Sequence, residues 1–245
     1  MEVEKEMNRS RREILVKPWG IYSFDRVYKG LPCQTLNLLR ANSKDIAYAA
    51  VGNFIQAGLD RGERVAIISF DHPDHLMPNF QEHGFSFERE LLSEQLYYFY
   101  YKSRFSYALS LSTNYQKLFE ELLRLGNSEI SRIVFLNADV LFNLESQLLA
   151  RSSAERILAS FARRNCVILG CYKSENIPTH NLLDEIGRGS MQSYLELTKG
   201  TGNNDWREYL TLHKFPTLLE KATLSLQLSK RNTSSEPVLK LVNDG

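Results

Sequence analysis

Short apolar runs, separated by segments long enough to form helices, constrain the fold of this chain more than any other feature. Four runs are rich in Val, Ile, Phe and Tyr, which is typical of buried strands; they are 64–70, 95–101, 131–137 and 165–172. Between them, the segments 112–126 and 152–165 repeat apolar residues at helical spacing, and Ser152 with Glu155 forms a capping box. This β-α-β-α order predicts an α/β fold with a mostly parallel central sheet.

The pattern changes near the carboxyl terminus. The segments 193–198, 207–215 and 223–229 alternate apolar and polar residues at a period of two. Such alternation is typical of antiparallel strands with one face in water. The sequence therefore predicts antiparallel C-terminal strands beside the parallel sheet.

Composition and charge exclude several classes of protein. The 245 residues are 43% apolar, and 30 basic residues face 29 acidic ones, giving a net charge of +1. No global field therefore attracts the chain to nucleic acid or to a membrane. No apolar run approaches the roughly 18 residues of a membrane span, and residues 1–17 are charged, so we expect a soluble, cytoplasmic protein.

The three cysteines, Cys33, Cys166 and Cys171, contain no C-x-x-C pair and are predicted to be ordinary buried thiols.

The segment 35–58, "TLNLLRANSKDIAYAAVGNFIQAG", has the outline of a phosphate-binding unit. A short apolar strand is predicted to enter an eight-residue turn, and an apolar helix follows and ends at Gly58. A phosphate-binding turn reads G-x-x-x-x-G-K-[ST], because its glycines let backbone N–H groups approach the phosphates and its Lys and hydroxyl serve charge and Mg²⁺. Here the eight positions are Ala41, Asn42, Ser43, Lys44, Asp45, Ile46, Ala47 and Tyr48.

Residues 20–75 resemble the opening of RecA-fold ATPases of the KaiC type. The shared positions are Gly20, Ile21, Phe24 and Asp25, then Gly30, Leu31 and Pro32, then Gly58, Gly62 and Glu63. The order of elements extends the resemblance over roughly 20–215. It implies a RecA-like three-layer αβα domain over 19–230 that lacks Walker motifs, preceded by a flexible N-terminal arm (1–18) and followed by a disordered tail (231–245).

The resemblance also shows which catalytic positions have changed. The family's framing glycines fall at Ala41 and Ile46, its phosphate lysine at Ala47 and its Mg²⁺ hydroxyl at Tyr48. Its carboxylate pair falls at Asp71 and His72, and its second acidic position falls at Asn137. The resemblance therefore implies no ATP hydrolysis, no catalytic residue, no cofactor and no metal. Ile46, Ala47 and Tyr48 are predicted to fill the former nucleotide pocket from inside.

Three functions are compatible with these losses. The first is an inactive pseudo-ATPase that acts as an assembly or regulatory subunit, pairing with itself or with a related RecA-fold chain. The second is a ligand-sensing module similar to the MEDS domain, with a pocket at the ends of strands one, two and four. The third is nucleic-acid binding within a ring similar to that of the Elongator accessory subunits. Regulators of the BcsE type also carry a degenerate domain of this class.

Two further stretches have alternative interpretations. "DHPDH" at 71–75 is expected to be a solvated loop rather than a metal site because Pro73 follows a strand. "YYFYY" at 97–101 is expected to be a central strand covered on both faces, with a partner surface or a base-stacking platform as alternatives. A candidate interface combines Arg11, Arg12, Asp71, His75, Tyr98, Tyr100, Phe105, Tyr107, Gly200 and Asn204.

Overall fold

A computed structural model gives the fold of the chain. It describes residues 14–69, 71–100, 129–136, 166–173, 193–200, 208–216, 221–226 and 228. The predicted helices at 112–126 and 152–165 and the predicted tail at 231–245 lie outside these residues.

The described elements alternate between strands and helices over the first hundred residues. In chain order they are β1 (Val16–Lys17), α1 (Tyr22–Tyr28), β2 (Leu31–Pro32), β3 (Leu36–Ala41), α2 (Lys44–Leu59), β4 (Arg64–Ser69), α3 (Pro73–Glu82), α4 (Glu88–Leu92), β5 (Leu96–Tyr100), β6 (Ile130–Leu136), β7 (Val167–Lys173), β8 (Ser193–Lys199), β9 (Glu208–Lys214) and β10 (Ala222–Leu226). The four strands predicted from apolar runs are thus confirmed as β4, β5, β6 and β7, within two residues at each end.

Eight of the strands form one sheet in the order β10-β9-β8-β3-β7-β6-β4-β5. All pairings from β8 through to β5 are parallel. The pairings β8–β9 and β9–β10 are antiparallel. The prediction of an α/β fold with a mostly parallel sheet and antiparallel C-terminal strands is therefore confirmed, with β8 joining the two parts.

The expected central position of the aromatic strand is wrong. β5 lies at the end of the sheet, and among the described strands it pairs only with β4. Burial and β propensity do not distinguish an edge strand that carries large aromatic rings from a central strand. Tyr97, Tyr98 and Phe99 are half-buried, and Tyr100 is exposed.

Helix α2 holds much of the core. It packs against β4, β6, β7 and β8 and also contacts α3. Val51, Phe54 and Ile55 are fully buried. Because the sheet and a second helix both cover α2, it is apolar over most of its circumference, as its sequence requires.

The segment before α1 is joined to this core. Val16 and Lys17 pair with β2 in a small antiparallel sheet, so these residues of the predicted N-terminal arm belong to the folded unit. Trp19 is fully buried, donates from its indole Nε1 to the Ala50 carbonyl at 3.0 Å and meets Phe24 edge to face. In the part of the chain that the structure describes, no helix has the length and apolar character needed to cross a membrane.

Candidate functional site

The candidate site is the edge of the sheet at which the parallel strands end, because ligands of open α/β sheets bind outside the carboxyl ends of their strands. Here β3 connects to α2 through only two residues, Asn42 and Ser43. The Ser43 hydroxyl accepts a hydrogen bond from the Ile46 N–H at 3.4 Å and caps the helix. The predicted eight-residue turn is therefore wrong, because a good capping residue starts α2 at Lys44.

The backbone around this connection is occupied by other parts of the protein. Ala41 is fully buried and lies within β3, opposite Lys173 on β7 and Leu197 on β8. Asn42 donates its N–H to the Leu197 carbonyl at 3.1 Å, and its side-chain oxygen accepts from the Lys199 N–H at 3.2 Å. A phosphate loop needs free backbone N–H groups that converge on its ligand. Here Ala41 and Asn42 instead bind the end of β8.

Tyr48 lies one turn into α2 and points into the protein. It is 8% exposed, and its ring meets Phe80 of α3 edge to face with a centroid separation of 5.3 Å. Burial, with smaller contributions from Asp71, Cys171 and Tyr98, raises its pKa to about 12, whereas a hydrogen bond to Asn79 acts in the opposite direction. Tyr48 thus joins two helices at the position that the resemblance assigns to the Mg²⁺ hydroxyl. Ile46 and Ala47 are also buried.

The ends of β4 and β5 meet beside this tyrosine. The Tyr98 hydroxyl donates to the Asp71 carbonyl at 2.6 Å, and the Ser69 hydroxyl accepts from the Asp71 N–H at 3.0 Å. Burial raises the pKa of Tyr98 to about 12, with the Ser69 hydrogen bond opposing the shift. Both tyrosines are therefore neutral hydrogen-bonding groups at ordinary pH, and neither is prepared to act as a base.

Residues 71–75 form the start of a helix rather than a loop alone. α3 begins at Pro73, and the His72 ring nitrogen Nδ1 accepts from the Asp74 N–H at 3.3 Å as its cap. The His72 ring also packs against Tyr100, with centroids 5.1 Å apart, while His75 is exposed. Within the described ranges, no group of three or more His, Cys, Asp or Glu side chains could hold a metal ion.

The structure brings together only part of the predicted interface. Asp71 follows β4, His75 lies in the first turn of α3, and Tyr98 and Tyr100 lie in the neighbouring strand β5, from which the Tyr98 hydroxyl reaches Asp71. Gly200 follows β8, which lies four strands from β4, or about 19 Å away at the usual strand spacing. Five predicted positions lie outside the described residues, namely Arg11, Arg12, Phe105, Tyr107 and Asn204, as does Asn137.

An open cleft lies next to the first turn of α2. It has a volume of about 660 Å³ and lies between that turn, the end of α3 and the strands β8 and β9. Its lining residues are Asp45, Ile46, Ala49, Glu82, His83, Lys199, Glu208 and Leu228. The lining carries both signs of charge, so it provides no one-sided field for an anion such as a phosphate.

The motif residues that carry the family resemblance lie at the opposite edge of the sheet. Both Asp25 carboxylate oxygens accept backbone N–H groups at 2.7 Å, one from Trp19 and one from Gly20. Gly20 has a φ of +95°, and a Cβ there would lie 2.3 Å from the Asn53 carbonyl oxygen. These positions are therefore required for the fold at an edge distant from the candidate site.

Arg132 near the start of β6 also lies at this edge, and the sequence did not predict its role, because 131–137 was expected only as an apolar strand. The Arg132 side chain is fully buried, its Nε donates to Glu63, and its Nη1 donates to the Pro18 carbonyl at 2.7 Å. Lys17 lies 3.1 Å from the other Glu63 oxygen. The sequence feature that could have predicted this role is an arginine inside an apolar run, because a buried charge requires a partner. Arg132 thus links β6, the turn before β4 and the N-terminal segment.

The three cysteines are buried thiols, as predicted. Burial is the main cause that raises the pKa of the Cys33 thiol to about 11. A thiol in this state is a weak nucleophile at neutral pH.

No protein-family model matches this chain, and no curated protein matches it.

Proposed function

We propose that this protein is a catalytically inactive RecA/KaiC-like pseudo-ATPase that acts as an assembly or regulatory subunit through protein–protein contacts. The observation that carries the proposal is the two-residue connection Asn42–Ser43, which replaces a phosphate loop and is capped by its own serine. Without a loop of free N–H groups, a nucleotide has no cradle at the end of β3.

The neighbouring side chains support the same function. Tyr48 occupies the space between α2 and α3, and Asp71 uses both of its backbone polar groups in contacts with Ser69 and Tyr98. A charged phosphate entering here would displace a packed aromatic pair and would meet Lys44 as the only cation of the segment 41–48. A sheet that retains its architecture without this chemistry remains useful as a surface for assembly.

Calorimetric titration of the full chain with Mg-ATP tests the first half of the proposal. We expect no binding up to millimolar nucleotide, and no rise in the thermal midpoint, since a ligand that binds only the folded state raises that midpoint. The matched control is Lys44→Ala, which removes an exposed cation of the turn and should change neither result. Millimolar or tighter binding that Lys44→Ala abolishes would contradict the proposal.

Ligand sensing is the second candidate function, and the cleft of about 660 Å³ beside α2 favours it. A cleft of this size matches the range of small-molecule sites. Ala49 lines it, so Ala49→Phe should fill part of the space. Sensing gains support if a metabolite library raises the midpoint of the native chain but not that of Ala49→Phe. It loses support if no compound distinguishes the two proteins.

A further inference from the structure

Residues 14–17, which we call the N-terminal strap, bury little of their surface. Their strand β1 pairs with β2 over only two residues, and the Leu15 carbonyl accepts the Cys33 N–H at 2.8 Å. Ile14 and Leu15 are 44% and 48% exposed, so they contribute little hydrophobic stabilisation. A short strand with little burial opens at a lower free energy than a protein core.

Much firmer contacts begin directly after the strap. The Pro18 carbonyl accepts from Arg132 Nη1 at 2.7 Å, and Trp19 is fully buried. The Asp25 carboxylate holds the N–H groups of Trp19 and Gly20. The strap can therefore leave the surface as a unit while Pro18 and Trp19 remain in place, with no loss of core burial.

The ion pair between Lys17 and Glu63 closes the strap. The Lys17 ammonium lies 3.1 Å from Glu63 Oε1, and its side chain is 13% exposed. The Lys17 backbone lies against Gly30, where a Cβ would come within 2.1 Å of the Lys17 carbonyl oxygen. Because the apolar side chains of the strap are largely in water, this charge-assisted contact is the main interaction that holds it.

The second partner of Glu63 makes this contact exchangeable. Glu63 Oε2 accepts from Arg132 Nε, whereas Arg132 Nη2 has no hydrogen-bond partner among the described residues, although the whole side chain is buried. An unpaired buried donor is costly, and a guanidinium binds a carboxylate best through two parallel N–H groups. Lys17 thus occupies the oxygen that would complete this pair. When Lys17 leaves, both Glu63 oxygens become available to Arg132.

We propose that the N-terminal strap is a charge-controlled latch, closed while Lys17 shares Glu63 with Arg132 and open when Arg132 holds both Glu63 oxygens. Opening breaks a partly exposed ion pair and a short ladder, and it returns a hydrogen bond to the buried guanidinium. It frees the backbone groups of β2 that face β1 and leaves the eight-stranded sheet unchanged. The latch goes beyond the proposed assembly function, which does not require it.

Amide hydrogen exchange measures the latch directly, because two neighbouring N–H groups have different partners. The Cys33 N–H is held by the strap, whereas the Gln34 N–H donates to the Cys166 carbonyl at 2.8 Å. We expect the protection factor of the Cys33 N–H to be roughly tenfold lower than that of Gln34, since only Cys33 is released by local opening. Equal protection of the two groups would overturn the proposal, because Cys33 would then exchange only when a larger unit unfolds.

Substitutions of Lys17 test the role of its charge. Lys17→Met retains most of the apolar stem and removes the ammonium, so the protection of the Cys33 N–H should fall roughly fivefold while that of Gln34 stays constant. Lys17→Arg retains the charge and should leave both near their native values. Added salt should lower the Cys33 protection of the native chain but not that of Lys17→Met. A Lys17→Met chain with native protection at Cys33, or with equal losses at both positions, would contradict the latch.

Glu63→Gln tests the exchange of partners. It retains an acceptor for Arg132 Nε and removes the charge that attracts Lys17, so it should lower the Cys33 protection relative to Gln34 as Lys17→Met does. The Gln34 value itself reports any general loss of stability from the buried arginine. Because both substitutions act on one contact, the double variant should be no less protected at Cys33 than either single variant. Additive losses would mean that the two residues act independently and would overturn the latch, whereas the Mg-ATP titration of the proposed function does not depend on these outcomes.

Discussion

Truncation of Tyr48 is the most direct test of whether its ring fills the space between α2 and α3. Tyr48 is almost fully buried against Phe80, so Tyr48→Ala leaves a cavity between α2 and α3. We expect the free energy of unfolding to fall by roughly 3 kcal/mol, which is within the range for aromatic truncations in cores. Urea denaturation followed by circular dichroism measures this change.

The matched control for Tyr48 is Tyr48→Phe. It retains the ring and removes the hydroxyl that bonds Asn79, so it should cost about 1 kcal/mol. A midpoint for Tyr48→Ala equal to that of the native protein would show that the ring does not fill the space.

For single residues, the sequence was sufficient to predict the environment of some side chains but not of others. The burial of Tyr48 could be predicted because this aromatic residue lies in an otherwise apolar helix. The role of Arg132 could not, because its partners Glu63 and the Pro18 carbonyl come from distant parts of the chain. Only the fold brings these groups together.

Gly58 tests how tightly α2 packs on the sheet. A Cβ at this position would lie 2.5 Å from Arg132 Cδ and 3.0 Å from Val65 Cγ2. Alanine favours a helix over glycine by about 1 kcal/mol, but overpacking costs typically 1–3 kcal/mol. Since hydrogen bonds hold Arg132 in place, we expect Gly58→Ala to destabilise the protein by roughly 1 kcal/mol in urea.

The same substitution in an Arg132→Ala background is its control. Removing the guanidinium side chain leaves room for the new methyl group, so Gly58→Ala should then cost less or become stabilising. Equal costs in the two backgrounds would mean that Arg132 is not what excludes a side chain at this position.

Among the elements, local patterns predicted the type of each strand better than its place in the sheet. β5 was expected at the centre because LYYFY is apolar on both faces, yet the topology puts it at the edge. The register depends on how residues far apart in sequence pair, as β3 does with β7 and β8. The turn after β3 was predicted wrongly for a different reason. The segment has the outline of a phosphate loop, and that outline was followed instead of the simpler signal, a serine that caps the helix.

For the whole molecule, the alternation of apolar runs and helical patterns was sufficient to predict a parallel sheet. That prediction depends on connection lengths, because parallel neighbours require a long crossover. The candidate site could be predicted only as a set of differences from the phosphate-binding pattern. The two-residue connection and the pair of neutral tyrosines found there follow from packing between α2, α3 and the strand ends.

The buried tyrosines and the Cys33 thiol should determine how the stability of the whole molecule changes at alkaline pH. Tyr48 and Tyr98 have pKa values raised from 10.0 to about 12, so each remains protonated in the folded protein while it ionises in the unfolded chain. Their contribution to stability is complete below pH 10 and is lost as the pH rises through 12, amounting to roughly 1 kcal/mol per tyrosine by pH 11. The Cys33 thiol, raised from 9.0 to about 11, acts in the same direction. Urea midpoints at pH 8, 10 and 11 should show this loss, and Tyr48→Phe should reduce it whereas Tyr22→Phe, at a residue 64% exposed, should not. Stability that is constant to pH 11, or that Tyr48→Phe leaves equally pH-dependent, would contradict the assignment of the loss to Tyr48.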